Sequence, residues 1–145
     1  MSFDEGGVAS RSRFNPICQY NKDKPQKFRV DFFALCNNSP GKYFILHCDI
    51  YQGKKAENIG IPEETTKLPT TQKAVVNSII QSKIGKDPNG FRQLFMENRY
   101  ACASLFVLLR EKFDILCAGT TRMNRVGWPK DKITMTKSEA RGTTI

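Results

Sequence analysis

The sequence has little of what zinc-binding and membrane-spanning proteins need. It contains one histidine, His47, and five cysteines, and no two cysteines have the Cys-x-x-Cys spacing of the usual zinc sites. No apolar run approaches the roughly 18 residues that a transmembrane helix requires. Residues 1–7 include Asp4 and Glu5 and lack the apolar stretch of a secretory signal. We therefore expect an intracellular chain, without a membrane partner, whose cysteines are reduced.

The residues that are present suffice for one folded domain. The 145 residues are 39% hydrophobic and include ten Phe, four Tyr and one Trp, which argues against a disordered chain. We interpret residues 1–145 as a single domain. Cys36, Cys48 and Cys117 lie within its apolar runs, which predicts core positions for all three.

Positive charge predominates, and it is unevenly distributed. The chain has 23 Lys and Arg against 14 Asp and Glu, a formal net charge of +9. Residues 98–145 alone have a net charge of +5, from nine basic and four acidic side chains. A basic excess of this kind favours a polyanionic partner, with nucleic acid as the leading candidate. A solvated basic surface without a partner is the alternative.

The first half of the chain is typical of a β-hairpin. Phe28–Cys36 and Tyr43–Tyr51 are rich in β-forming residues, and the turn-forming run Asn37–Gly41 joins them. Met1–Asp4 is a candidate short strand. The segments 5–27 and 52–69 are polar and rich in turn residues, so we predict loops there.

The second half alternates between helical and strand patterns. Helices are predicted over Thr71–Ile84 and Tyr100–Phe113, and strands over Phe91–Met96 and Asp114–Gly119. A hairpin followed by helix, strand, helix and strand is typical of a mixed sheet with flanking helices. We therefore predict an α/β fold with a ribonuclease-H-like mixed sheet.

Two acidic residues stand at strand ends in this predicted sheet. Asp4 ends the first candidate strand and Glu97 follows the strand that ends at Met96. In a ribonuclease-H-like order these strands are neighbours, so the two carboxylates come together and can ligate hard cations. Metal pairs held in this way assist phosphoryl transfer. The alternative is that Asp4 is a terminal charge and Glu97 an exposed turn residue.

Four motifs resemble those of the piggyBac transposase domain, and they occur in the family's order over nearly the whole chain. The longest is Gly119-Thr120-Thr121-Arg122-Met123-Asn124-Arg125, with Gly127 and Pro129, which resembles Gly-Thr-x-Arg-x-Asn-Arg-x-Gly-x-Pro. The others are Phe3-Asp4-Glu5 with Lys24-Pro25 and Lys27-Phe28, Tyr51-Gln52-Gly53-Lys54, and Glu97-Asn98-Arg99-Tyr100. The chain thus resembles a truncated, piggyBac transposable element-derived protein.

The resemblance implies a DDE core that cuts and joins DNA at transposon ends with three Asp residues and Mg²⁺, and it implies a nuclear location. Asp4 matches the first Asp, and Glu97 stands at the position of the second. No residue before Ile145 matches the third, because Asp131 lies too close to the Gly-Thr-x-Arg motif. We therefore expect a partial core, incomplete at its C-terminus, with Asp4 and Glu97 as degenerate catalytic and metal-ligating residues.

The departures from the family pattern argue against catalysis by this chain alone. The extra methylene of Glu97 moves its carboxylate by roughly 1 Å, and a misplacement of that order costs about a hundredfold in rate. We expect a DNA-binding domain that is defective in DNA cleavage and strand transfer and that does not bind Mg²⁺ productively. One alternative is a transposase or nuclease subunit completed by further C-terminal sequence or by an oligomeric, transposase-like partner. The other is a repurposed, non-catalytic interaction module.

The candidate DNA contacts lie in the last basic segment. Arg122, Asn124, Arg125, Lys130 and Lys132 are the predicted phosphate-contacting residues. Nearby, Trp128 either stacks on a base or packs in the core, and a solvated basic loop is the alternative for the whole segment. A second basic group has no role assigned by the sequence; it consists of Arg11, Arg13, Lys22, Lys24 and Lys27.

Overall fold

The computed structural model describes residues 1–52, 65, 68–84, 86–88, 90–122 and 124–128. Within these residues the chain forms six strands and two helices. In chain order they are β1 (Ser2–Ala9), β2 (Gln19–Tyr20), β3 (Phe28–Ser39), β4 (Lys42–Ile50), α1 (Thr70–Gln81), β5 (Arg92–Met96), α2 (Ala103–Phe113) and β6 (Ile115–Gly119). The Gly53-Lys54 part of one motif, and the predicted contact residues Lys130 and Lys132, lie outside the described residues.

The six described strands form one mixed sheet. β3 pairs antiparallel with β1 along one edge and with β2 and β4 along the other, whereas β1, β5 and β6 pair in parallel. The strand order is β2-β3-β1-β5-β6, with β4 beside β3. α1 and α2 lie in the crossover connections that parallel strands need. The predicted α/β class, with a mixed sheet and flanking helices, is confirmed.

The predicted β-hairpin is formed by β3 and β4 across a tight turn. Gly41 has a φ of 74°, in the left-handed region that glycine reaches without a steric cost. Asn37 Nδ2 donates a hydrogen bond to the Lys42 carbonyl at 2.7 Å, which ties the two strands together beside the turn. The register shifts between Leu35 and Cys36, which makes room for one extra residue in β4.

One face of the sheet, called here the covered face, is buried beneath both helices. Its residues alternate along the strands, and they pack in one core with apolar residues of α1 and α2. The sheet contributes Phe3, Phe33, Leu35, Leu94, Met96 and Ile115, α1 contributes Val75, Val76 and Ile79, and α2 contributes Leu105 and Leu109. The two helices thus form a single layer on this side of the sheet.

The opposite face, called here the open face, is not covered by any helix in the described part of the chain. Its exposed large apolar residues include Tyr43, Ile45, Ile50, Phe95 and Leu116, each between 37% and 75% exposed. Asp4 lies on this face, because side chains alternate along a strand and Phe3 is in the core. Cys48 is exposed on it as well, so the predicted core position of Cys48 is wrong.

Both helices differ from their predicted bounds, because the backbone leaves the helical conformation within each predicted range. α2 begins at Ala103 rather than Tyr100, since the Cys102 backbone is extended, with a φ of −150° and a ψ of 153°, and so cannot continue a right-handed helix. α1 ends at Gln81 rather than Ile84, since Lys83 has a φ of 52°, which a right-handed helix does not contain.

Three strands were predicted too short or not at all, and one of them is β3, which continues to Ser39 rather than ending at Cys36. β1 continues to Ala9 rather than ending at Asp4, because β3 provides a pairing partner for every residue from Ser2 to Ala9. β2 lies in a segment predicted to be a loop, and Gln19 and Tyr20 pair there with Arg29 and Phe28. Neither described helix is long and apolar enough to cross a membrane.

Candidate functional site

Asp4 and Glu97 lie on neighbouring strands, as predicted. The parallel pairing of β1 and β5 aligns Ser2 with Phe95 and Phe3 with Met96, so the next position of each strand brings Asp4 beside Glu97. Both residues are exposed, and Asp4 Oδ1 accepts a hydrogen bond from the Glu5 amide at 2.7 Å. The predicted strand arrangement is therefore confirmed, while the catalytic role of the pair stays a prediction.

The two carboxylates meet only part of the requirement for a divalent metal. Asp4 and Glu97 offer oxygen ligands of the type that Mg²⁺ prefers. Among the described residues, no group of three or more His, Cys, Asp or Glu is placed to hold a metal ion. Two carboxylates are fewer than the three that the family resemblance requires, so no metal-assisted step is assigned to them.

A polar network centred on Glu5 joins β1 to the loop that follows Glu97. Glu5 Oε2 accepts hydrogen bonds from the Tyr100 hydroxyl at 2.9 Å and from the Arg99 guanidinium. Burial raises the pKa of Tyr100 above its ordinary value, and the hydrogen bond and charge of Glu5 add to this effect. The phenol therefore stays protonated at neutral pH and donates its hydrogen bond to Glu5, which fixes one side of the loop after Glu97.

Arg29 extends this network along β3. Its Nη2 lies 3.8 Å from Glu5 Oε1, and its Nε lies 2.5 Å from Asp31 Oδ1. Asp31 balances the charge of the buried Arg29. Sequence reasoning missed this network, because Glu5 and its partner Tyr100 are 95 positions apart and no local pattern links them.

The Gly-Thr-x-Arg-x-Asn-Arg segment folds back onto the loop after Glu97. Thr120 Oγ1 accepts a hydrogen bond from the Asn98 amide at 3.0 Å. The Arg125 guanidinium donates to the Ala101 carbonyl at 2.8 Å and to the Asn98 carbonyl. Arg125 is half-buried, so its side chain holds this loop in place, and its predicted DNA contact stays a prediction.

Two further residues of this segment have structural roles. Gly119 has no space for a side chain, because an ideal Cβ there would lie 2.1 Å from the Met96 carbonyl oxygen. The Trp128 ring packs edge-to-face against Phe106, with ring centroids 5.4 Å apart, which is the packing role among the two that the sequence left open. The glycine and the tryptophan thus help to keep the segment against β5 and α2.

Arg122 and Asn124 differ from Arg125, because both are exposed. Of the five predicted DNA-contacting residues, these two are accessible in the described part of the chain. Their accessibility suits a phosphate contact, in which Arg offers several parallel donors. The distinction between Arg122 and Arg125 was not visible in the sequence, where both are basic residues of one motif.

Comparison with known proteins identifies the class. The chain matches the family described as Transposase IS4 over residues 1–145, and it belongs to that family. Its fold resembles a cryo-EM structure of a piggyBac transposase in a synaptic complex with hairpin DNA, with a TM-score of 0.71 and 18% sequence identity. No curated protein matches the chain. The resemblance to the piggyBac-type transposase domain is thereby confirmed.

The matched region is a small part of the piggyBac transposase. The match covers 96% of this chain and 26% of that chain, so this chain spans about a quarter of that protein's length. At 18% identity, the likeness establishes a shared fold.

Proposed function

We propose that this transposase-derived domain binds DNA and does not cleave DNA by itself. The observation that carries the proposal is the β1–β5 register, which sets Asp4 beside Glu97. By the family resemblance, the pair matches two of the family's carboxylates, but Glu97 is one methylene longer than the Asp that the resemblance requires. We extend the proposal to an intracellular, nuclear location, as the family resemblance implies.

The carboxylate pair supports the absence of independent cleavage. A two-metal phosphoryl transfer needs several oxygen ligands that hold the attacking and leaving oxygens in line. Displacing one carboxylate by roughly 1 Å costs about a hundredfold in rate. With no group of three ligands among the described residues, we infer that Mg²⁺ is not held productively by this domain.

The charge distribution supports DNA binding. The net charge of the chain is +9, and cationic side chains that contact phosphates release counterions from DNA. Arg122 and Asn124 are exposed on the segment that holds the Glu97 loop. A DNA strand beside the carboxylates would therefore meet their side chains.

The lack of cleavage is tested with the purified chain, a supercoiled plasmid and either Mg²⁺ or Mn²⁺. We expect no nicking above the level of an Asp4→Ala variant, because the described residues of neither protein supply a complete ligand set. Metal-dependent nicking that is lost in Asp4→Ala would contradict the proposal. That result would favour an active transposase or nuclease subunit.

DNA binding is tested by fluorescence anisotropy with a labelled duplex at several salt concentrations. We expect log affinity to fall linearly with log salt, and Arg122→Ala to lower the slope by about 0.9, the value for one phosphate contact. Lys42→Ala is the matched control, since Lys42 is an exposed cation at the start of β4, and it should leave the slope unchanged. Binding that ignores salt would contradict an electrostatic interaction with DNA.

One observation favours a second candidate function, a transposase subunit completed by further sequence or by an oligomeric partner. The chain spans only 26% of the piggyBac transposase that it resembles, so the missing carboxylate would come from outside residues 1–145. A repurposed interaction module is the third candidate, and the exposed apolar residues of the open face favour it. If the chain binds no DNA at any salt concentration, that result would support the interaction module over the proposed function.

A further inference from the structure

A cavity of about 810 Å³ opens where β1 ends and β2 and β3 begin. This volume falls within the range of small-molecule and cofactor sites. Its lining includes Arg11, Arg13, Asn15, Tyr20 and Phe28. The cavity begins at Ala9, five residues beyond Asp4 on β1, or about 17 Å along a strand. It is therefore separate from the Asp4–Glu97 pair, although both lie along β1.

The wall of the cavity is held by local hydrogen bonds. The Ser10 amide donates to the Phe28 carbonyl at 3.0 Å and closes the loop at its base. Asn15 Nδ2 donates to Ser10 Oγ at 3.1 Å, and Asn15 Oδ1 accepts from the Ile17 amide at 3.1 Å. These bonds fix the chain between β1 and β2, so the shape of the cavity exists before a ligand binds.

Two cations, Arg11 and Arg13, line the cavity, and the chain segment that supplies most of the lining contains further cations. Between residues 10 and 28 the chain has five basic side chains, Arg11, Arg13, Lys22, Lys24 and Lys27, and one acidic side chain, Asp23. All six are exposed, and none of the five cations forms a salt bridge with another described residue. Such a group attracts anions, and Arg offers the fork of donors that suits phosphate.

Aromatic rings lie exposed beside these cations. Tyr20 and Phe28 are 62% and 59% exposed, and their ring centroids are 5.0 Å apart. Phe14 is 81% exposed, with the Arg13 guanidinium 5.1 Å from its ring centroid. Exposed rings interleaved with cations are typical of surfaces on which unpaired bases stack, while the cations follow the phosphates.

The combination selects one class of ligand. An apolar ligand would gain nothing from Arg11 and Arg13, and a bare phosphate would gain nothing from the rings. A fully paired duplex keeps its base faces stacked inside, so the rings cannot reach them. A single-stranded or extruded nucleotide offers both a π-face and flanking phosphates.

We propose that this cavity binds an unpaired nucleotide of DNA, with its base stacked on Tyr20 and Phe28 and its neighbouring phosphates bound by Arg11 and Arg13. The inference rests on the proposed DNA binding and deepens it. It adds a single-strand site that is distinct from the predicted contacts at Arg122 and Asn124.

The site is tested by anisotropy with a labelled single-stranded 12-mer, the same 12-mer with central abasic sites, and a blunt duplex of the same sequence. The parent should bind the intact strand about tenfold more tightly than the abasic strand, because stacking favours base-containing DNA. Tyr20→Leu should remove this tenfold preference and leave abasic binding within about twofold. Equal affinity of the parent for the intact and abasic strands would overturn the stacking role.

The arginine role is tested by the salt dependence of single-strand binding. Arg11→Ala combined with Arg13→Ala should lower the slope by about 1.4, since each phosphate contact contributes about 0.7 for single strands. The charge-matched control, Lys42→Ala with Arg110→Ala, removes two exposed cations far from the cavity along the chain and should leave the slope unchanged. Equal slopes for both double variants would overturn the phosphate role.

Fluorescence of a base analogue in the DNA tests stacking with the parent protein alone, so the result does not depend on whether a variant folds. Central 2-aminopurine in the 12-mer should lose fluorescence when the parent binds, because the base stacks on a ring, and unchanged fluorescence in the bound state would overturn the inference. Salt-dependent duplex binding without any of these single-strand effects would remove the cavity site alone. Absence of binding to every DNA would remove the proposed function itself.

Discussion

The covered face and the open face of the sheet have similar apolar residues, but their surroundings differ. On the covered face Leu94 and Ile115 are no more than 1% exposed beneath the two helices. On the open face their sequence neighbours Phe95 and Leu116 are 50% and 37% exposed. The residues alternate within the same two parallel strands, so the difference comes from the helix layer and not from the strands.

This comparison teaches that burial depends on the layers around a strand as much as on its residues. Parallel strands are usually buried on both faces and read as continuous apolar runs. β5 and β6 have that composition, with Leu94-Phe95-Met96 and Ile115-Leu116-Cys117. The described part of the chain covers only one side of them, so we expect the stability of the domain to depend mainly on the covered face.

The largest expected effect is the difference in the free energy of unfolding between alanine variants of Leu94 and Leu116. Leu94→Ala should lower the free energy of unfolding by about 3 kcal/mol, because it leaves a cavity in a closed core. Leu116→Ala should cost about 1 kcal/mol or less, because its side chain already contacts solvent. Urea unfolding of both variants measures the difference. Equal losses would mean that the open face is covered in solution, and a repeat at two protein concentrations would reveal self-association.

An intermediate effect is expected from the Tyr100 hydroxyl. Tyr100→Phe removes the hydrogen bond to Glu5 and should cost about 1.5 kcal/mol at neutral pH, as for bonds to charged groups. The pKa of Tyr100 is raised in the folded protein, so its contribution is complete below the unfolded value, about 10. It should be lost as the pH rises through the folded pKa.

The measurement for Tyr100 is urea unfolding from pH 7 to 11. The stability advantage of the parent over Tyr100→Phe should shrink above about pH 10. Tyr43→Phe is the matched control, because the Tyr43 side chain is exposed on the open face, and it should match the parent at every pH. An advantage that grows with alkaline pH would contradict the raised pKa.

The last prediction concerns the relative alkylation rates of two cysteines, one on each face of the sheet. Burial raises the pKa of the Cys117 thiol to about 12, whereas Cys48 is exposed on the open face. Because the thiolate is the reactive form, iodoacetamide at pH 8 should modify Cys48 well before Cys117. Peptide mapping by mass spectrometry follows both sites, and labelling in urea, where the two should react alike, is the control. Equal rates in the folded protein would show that Cys117 is not shielded.

Much of the fold was predictable because the local sequence patterns correspond to the strands and helices that pair and pack in the structure. The β-forming runs around the Asn37–Gly41 turn define the hairpin, and the order of helices and strands defines the crossovers. The same order predicted that β1 and β5 would be neighbours, which places Asp4 beside Glu97. These features depend on periodicity and chain order, which a single sequence contains.

Other features of the site could not be predicted, because they depend on contacts between distant residues. Arg125 and Arg122 are equivalent in sequence, but only Arg125 donates to the carbonyls after Glu97. The strand at Gln19–Tyr20 exists because β3 offers it an edge. Its pairing brings Tyr20 beside Phe28 and completes the cavity. No local pattern in a polar, turn-rich segment indicates that arrangement.

By itself, the sequence determined the family, the order of the described elements other than β2, and the neighbouring positions of Asp4 and Glu97. The tertiary structure alone decided which apolar residues are buried and which basic residues are accessible. Alternation along a strand separates two sets of side chains, but it does not say which set a helix layer will cover. Leu94 and Phe95 show this most directly, since they are adjacent apolar residues and only the packing of the helices makes one of them core.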